Sequence, residues 1–297
     1  MYTQFFGNYL LSKGCLTSEQ LFAAMQKQAS AHMRLGTLAI HSGFMTAAEV
    51  DQVVAQQSRQ DKKFGELAIQ MGFLTDDQVI QLLKSQSPDF LLLGQVLVDD
   101  GLLTNADLET LISDYRSQNE LTDLDMTHDS HDNVSRILDN FFITSETPLT
   151  HNGRMYLELL FNDFIRFIGE DFTPLSSKEY KEFPISHCIR QDIQGEYEIR
   201  TYINMDEKTA IEFASRYAGE QFLAYDEYVQ ASLEDFLNVH NGLFVVNVSN
   251  DSSVELTISA PETLEGPSLT FEHRTYQFPM MYSFGTVDFR LEVVKAD

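Results

Sequence analysis

Basic side chains are scarce in this chain: 20 lysines and arginines stand against 45 aspartates and glutamates, a formal net charge of −25 over 297 residues. A nucleic-acid groove needs a basic footprint that displaces counterions from phosphates, so this balance argues against nucleic-acid polymers as partners. It argues equally against docking on an anionic membrane surface. Cysteine is nearly absent too. Cys15 and Cys188 are the only two, with no CxxC, which speaks against a disulfide framework or structural zinc and fits a reducing cytoplasm. No apolar run approaches the ~18 residues of a membrane span. The N-terminal MYTQFFGNYLLSKG lacks the basic start and small-residue cleavage site of a signal peptide. No GxxxxGK[ST] phosphate loop and no GxSxG occur. What is present is apolar material, 43% of residues, enough for real cores. The length exceeds the roughly 250 residues at which one core stops growing, so two domains are expected.

Internal repetition dominates the first half. Four segments align without gaps: FFGNYLLSKGCLTSEQLFAAMQKQ from Phe5, RLGTLAIHSGFMTAAEVDQVVAQQ from Arg34, KFGELAIQMGFLTDDQVIQLLKSQ from Lys63 and LLGQVLVDDGLLTNADLETLISDY from Leu92. Gly7, Gly36, Gly65 and Gly94 are spaced by 29 residues, as are Gly14, Gly43, Gly72 and Gly101, and Thr17, Thr46, Thr75 and Thr104. Each unit reads as a short helix, a glycine stop and a longer helix. The second glycine suits a left-handed C-terminal cap, and the threonine an N-cap, with Gln20, Glu49 or Gln78 completing a capping box and Asp107 an imperfect fourth case. Hydrophobic staples should join Leu16 to Leu21, Met45 to Val50, Leu74 to Val79 and Leu103 to Leu108. The first glycine permits close helix approach or a tight turn. One unit cannot bury its own apolar face, so adjacent units are expected to share a core.

After Tyr115 the periodicity stops, and the polar, acidic run of residues 116–133 reads as a linker. His128 and His131 with Asp129 and Asp132 are spaced like a metal tract, but they sit in this linker without a second cluster, so no metal site is expected. Residues 1–115 carry 7 basic and 13 acidic side chains and residues 116–297 carry 13 and 32, so the acidity belongs mainly to the second half. That half alternates elements like a mixed α+β domain. A helix is expected near 154–169, a strand from Gly195, a helix capped by Asp206 through about Ala218, and another helix over about 226–240. LFVVNVS and VELTISA then read as strands joined by a turn near Asn250, with TFEHRTYQFPMMYSF and TVDFRLEVV as closing strands.

On the helix around 226–240, Val229, Leu233, Phe236 and Leu237 form the inward stripe. At about 100° per residue Asn238 falls almost opposite them, with Asp235 and Glu234 to either side. The pattern Asp235-x2-Asn238-x3-Gly242, followed after 22 residues by Pro261 and then Gly266, resembles the CheX/CheC-type chemotaxis phosphatases over about residues 136–297. That family carries Glu-x2-Asn on a surface helix. The resemblance implies a substrate, the phosphoaspartate of a CheY-like response regulator with its own Mg²⁺, and no intrinsic cofactor. It implies that Asn238 positions the attacking water and that Asp235, in place of the usual Glu, engages the regulator's lysine. Glu234 can substitute by pairing with Asn238 one turn on. Glu158 and Asn162 share the same i, i+4 spacing on the first helix but read as ordinary core-helix positions.

The repeats resemble the MshEN domain of type II secretion and pilus ATPases. Arg34, Leu35, Gly36, Gly43, Val54 and Gln57 occupy that motif's positions, and Lys63 stands where the third unit would carry the arginine. Some members bind cyclic di-GMP, for which Arg34 and Lys63 are the implied contacts, since a planar guanidinium stacks on a base or bonds bidentately to guanine. The expectation is therefore a cytoplasmic α+β protein. Residues 1–117 form an all-helical array of four 29-residue repeats, 118–135 an acidic linker, and 136–297 a CheX-like α/β sandwich with a mostly antiparallel sheet. Its function is receiver dephosphorylation, with a non-catalytic receiver-binding or cyclic di-GMP-responsive adaptor as the alternative. A second copy of the chain is admitted as a partner.

Overall fold

The computed structural model describes residues 2–28, 30–85, 89–118, 150–176, 182–252 and 254–295, in two units, Tyr2–Asn133 and Val134–Asp297. The expected linker beyond Gln118, with His128 and His131, lies outside the described residues.

The first unit contains the helices α1 (Tyr2–Ser12), α2 (Ser18–Gln28), α3 (Leu35–His41), α4 (Ala47–Gln57), α5 (Phe64–Gln70), α6 (Asp76–Lys84), α7 (Asp89–Asp99) and α8 (Asn105–Gln118). Each odd-numbered helix stops at a glycine in left-handed backbone. Gly14, Gly43, Gly72 and Gly101 have φ of 69°, 68°, 77° and 71°, and nothing lies within 4 Å of where a Cβ would stand. Backbone conformation, not crowding, demands glycine there. The threonine caps form as expected: Thr46 with Glu49 and Thr75 with Gln78 make capping boxes, and Thr17 with Gln20 exchanges the same two bonds. Asp107 closes its loop as well. Its carboxylate accepts from the Thr104 N–H at 2.9 Å while its own N–H donates to Thr104 Oγ1 at 3.1 Å, so the shorter side chain suffices. The Thr104 hydroxyl and N–H hold that carboxyl below its usual range.

The other glycine series acts through space. A Cβ on Gly36, Gly65 or Gly94 would stand 2.9, 3.2 or 2.5 Å from a methyl of Val50, Val79 or Leu108. Gly36 also faces Phe64 while Gly65 faces Leu35, so the second and third helix pairs meet reciprocally. The main packing does not simply follow chain order. α1 and α2 lie on α7, α8 lies on α3 and α4, and α3 and α4 lie on α5 and α6. Sequence neighbours therefore share a core only in part. Phe6 joins Phe90 and Tyr115 edge-on at 5.2 and 5.3 Å, which ties the first pair to the fourth.

The second unit is a mixed helix-and-sheet structure. Helix α9 (His151–Asp163) runs into a π-helical turn, Phe164–Ile168, and α10 (Glu207–Ala218) and α11 (Glu227–Ser252) follow. The strands are β1 (Phe172–Pro174), β2 (Glu182–Pro184), β3 (His187–Gly195), β4 (Glu198–Met205), β5 (Leu256–Ile258), β6 (Glu262–Leu264), β7 (Ser268–Thr270), β8 (Arg274–Tyr282) and β9 (Gly285–Lys295). The large sheet has the order β1-β8-β9-β4-β3-β5, with β6 also on β3, and its described pairings are antiparallel. Helix α11 packs on α9, α10, β3 and β5. Strand alternation puts Ile189, Gln191 and Ile193 toward that helix and Cys188 on the opposite face. There Cys188 is buried with Phe183 and Tyr202, and burial pushes its thiol up to about 12, which makes it an inert core thiol. The antiparallel β2–β7 ribbon supplies Phe183 to this second core.

One expected element is overturned. LFVVNVS is not a strand; it is the continuation of α11, which runs to Ser252. Its β-branched residues favour strands locally, but Phe244 and Val248, both fully buried, extend the stripe of Val229, Leu233, Phe236, Leu237, His240 and Asn241 at helical spacing. Tertiary burial along one helical face outweighs the local preference. The sequence reading also left strand β3 unassigned.

Candidate functional site

Helix α11 starts at an aspartate cap: Asp226 Oδ1 accepts from the N–H groups of Tyr228 and Val229 at 3.0 and 3.1 Å. The inward residues then fix the rotation of the helix, and that rotation places Asp235 and Asn238, one turn apart, on adjoining surface. Asp235 is exposed. Its Oδ2 accepts from the Tyr217 hydroxyl at 2.7 Å, and Oδ1 has no hydrogen-bond partner among the described residues. Burial, and then this carboxylate, raise the Tyr217 phenol well above its ordinary value, so the phenol stays a donor.

Asn238 departs from the expected position opposite the buried stripe. It is half-buried on the flank of the helix that leans toward β3, and its Oδ1 accepts from Gln191 Nε2 at 2.8 Å. Its Nδ2 has no hydrogen-bond partner among the described residues. Glu234 does not pair with Asn238. Its Oε1 accepts from Gln230 Nε2 at 2.8 Å and from Thr263 Oγ1 at 3.1 Å, so it braces α11 against β6. The sequence reading missed Gln191 and Tyr217. For Gln191 a signal existed, because Ile189-x-Gln191-x-Ile193 alternates like a half-buried strand with an amide in the inward row.

Beneath this surface lie two buried polar groups of the same helix. His240 Nδ1 meets Asp163 Oδ2 at 2.7 Å, with His240 wholly buried. Burial lowers the imidazole below its ordinary value against the opposing pull of Asp163, so His240 is neutral and donates from Nδ1. Asn241, also wholly buried, accepts from the Tyr156 hydroxyl at 2.7 Å.

In the first unit Arg34 lines a cleft of about 590 Å³ together with Leu35, Gly36, Val54, Gln57 and Asp99. Arg34 Nη1 lies 2.6 Å from Asp99 Oδ1, and Gln95 Nε2 donates to the same oxygen at 2.8 Å. Lys63 and Gly43 are not part of the lining. Lys63 instead begins α5, its backbone N–H donating to Glu66 at 3.2 Å. Among the described residues no group of three His, Cys, Asp or Glu side chains could hold a metal, and no helix is long and apolar enough to cross a membrane.

No protein-family model matches the chain, and no curated protein does. Structural neighbours of CheX/CheC type align with about half of it. The chemotaxis protein CheX from Desulfovibrio desulfuricans is similar at 10% identity, over 48% of this chain and 99% of that one, with a TM-score of 0.41. CheX from Vibrio vulnificus is similar at 16% identity over 48% and 99%, with a TM-score of 0.41. A CheX–CheY–BeF3–Mg complex from Borrelia burgdorferi is similar at 16% identity over 46% and 94%, with a TM-score of 0.39.

Proposed function

We propose that this chain docks on a phosphorylated CheY-like response regulator and hydrolyses its aspartyl phosphate through the Asp235–Asn238 surface of α11. The observation that carries the reading is the pairing of a carboxamide held from behind by Gln191 with a carboxylate one turn away that keeps one oxygen open. Hydrolysis of an acyl phosphate needs little covalent help: a water held in line with phosphorus forms the new P–O bond while the bond to the aspartyl oxygen breaks. Asn238 supplies the positioning: with its oxygen held by Gln191, its N–H₂ is turned to donate to the oxygen of the attacking water or of the phosphoryl group. Asp235 supplies the docking register by pairing with a lysine of the regulator. Its reach is one methylene shorter than Glu, and the Tyr217 bond fixes its direction in compensation. The Mg²⁺ that neutralises phosphate charge belongs to the regulator. The test is the decay of phosphorylated receivers with and without this chain. Binding without accelerated decay identifies a non-catalytic adaptor instead.

A second reading concerns the array of four repeats. The cleft gathers Arg34, Leu35, Gly36, Val54 and Gln57, five of the motif positions by which the repeats resemble MshEN domains, and its volume suits a small ligand. Cyclic di-GMP is the candidate, with Arg34 as its contact and Lys63 outside the lining. A phosphate or guanine must displace Asp99 from the guanidinium. Calorimetry is expected to give saturable heat with cyclic di-GMP, weakened about tenfold or more by Arg34→Ala. No heat, or unchanged affinity, removes the reading.

A further inference from the structure

We infer that Gln191 is a positioning residue that fixes the polarity of the Asn238 carboxamide, so that Asn238 meets its ligand with N–H₂ outward. The inference rests on the reading of Asn238 as the residue that faces the acyl phosphate, and it assigns the chemical sense of that contact.

The polarity follows from two backbone carbonyls, which can only accept. Gln191 lies 1% exposed on β3. The atom of its amide that lies 2.8 Å from the Ser259 carbonyl must be the nitrogen. That nitrogen also contacts Asn238 at 2.8 Å, so the Asn238 atom facing it must be the oxygen. Gln191 Oε1 then turns the other way and accepts from Asn241 Nδ2 at 2.8 Å. An independent anchor gives the same sense. Thr201, opposite Gln191 in the β3–β4 register, donates its hydroxyl to the Gln191 backbone carbonyl at 2.8 Å. Its oxygen must therefore accept from Asn241, at 2.9 Å, so the Asn241 atom there is the nitrogen. Asn241 Oδ1 is left to accept from Tyr156. Every group between Tyr156 and Asn238 has its donor or acceptor role set, and Gln191 spends both amide protons in setting the last one.

Asn238 therefore presents a fixed donor. Its N–H₂ can hold the oxygen of a water or a phosphoryl group, and the carboxamide cannot turn over without facing its own N–H₂ toward the Gln191 N–H₂. A fixed donor one turn from the open Asp235 oxygen gives the surface a donor and an acceptor at set positions.

The experiment has a kinetic arm and a spectroscopic arm on the full chain. Gln191→Met keeps volume and removes the donor; kcat for receiver dephosphorylation is expected to fall about tenfold or more, with KM within about twofold. Unchanged kcat overturns the inference. In the spectroscopic arm, side-chain amide exchange is followed by NMR. In the wild type, the Asn238 N–H₂ protons exchange quickly while those of Gln191 and Asn241 are protected. In Gln191→Glu, the Asn238 N–H₂ turns inward and becomes protected. Protection of the Asn238 N–H₂ in the wild type overturns the inference. This readout needs no receiver and holds if Gln191→Glu does not fold. If the wild type accelerates no receiver's decay, the functional reading fails while the exchange pattern still decides the polarity.

Discussion

At the scale of single residues, the second unit places polar groups where apolar ones would pack. On the helix α11 side of the sheet these are joined by hydrogen bonds, with Nε2 of His240 left without a partner among the described residues. Gln191, Thr201, His240 and Asn241 are at most 1% exposed, and a buried polar group left unpaired costs about 1–3 kcal/mol. The Tyr156–Asn241–Gln191–Asn238 chain meets that requirement while orienting the one member that reaches the surface. The His240–Asp163 pair yields a prediction on pH. Because the folded imidazole titrates below its ordinary 6.5, the unfolded chain binds the proton more readily, so its contribution to stability is complete above about 6.5 and is lost as pH falls below it. Thermal melting of the wild type should therefore drop between about pH 7 and pH 5 by more than that of His240→Gln. Equal drops would mean that His240 does not carry the linkage. Little of this was legible beforehand. The helical stripe through Val229 and Leu237 could be read from spacing, and Asn238 and Asp235 from their pattern. The half-burial of Asn238 could not, because it depends on how closely the flank of α11 lies on β3.

At the scale of elements, short-range chemistry was the legible part. Glycine and threonine at 29-residue spacing marked helix stops and caps because both act within one turn of backbone. The two glycine series differ in cause, and that difference can be measured. Gly101→Ala puts a Cβ into left-handed backbone and should cost about 1 kcal/mol. Gly94→Ala would drive a Cβ to 2.5 Å from the buried Leu108 and should cost more, about 1–3 kcal/mol, by overpacking. Urea denaturation of the two variants tests this, and a larger loss at Gly101 would contradict the account of close approach. The C-terminal half of α11 shows the opposite lesson. LFVVNVS has the composition of a strand, and only the two buried positions Phe244 and Val248, seen against the sheet, make it helix. Strand β3 escaped notice for a related reason: an amide, not an apolar residue, fills its central inward position.

At the scale of the molecule, the order in which the helix pairs pack, first on fourth, fourth on second, second on third, is a tertiary fact that repetition alone does not encode. Units that share their glycine and threonine positions share their local signals, and choices among their partners are made by side chains such as Phe6, Phe90 and Tyr115. The acidic excess, 27 against 12 over residues 134–297, would suit a partner's lysine under the proposed function but does not single one out. In the proposed function that discrimination falls to Asp235 and Asn238. The most direct measurement is the lifetime of a phosphorylated CheY-like receiver mixed with the wild-type chain and with Asn238→Ala. The account predicts that the wild type shortens the lifetime and that Asn238→Ala loses about 10²-fold of that acceleration while still binding the receiver. A wild type that leaves every such receiver's lifetime unchanged, or an Asn238→Ala variant as fast as the wild type, would contradict it.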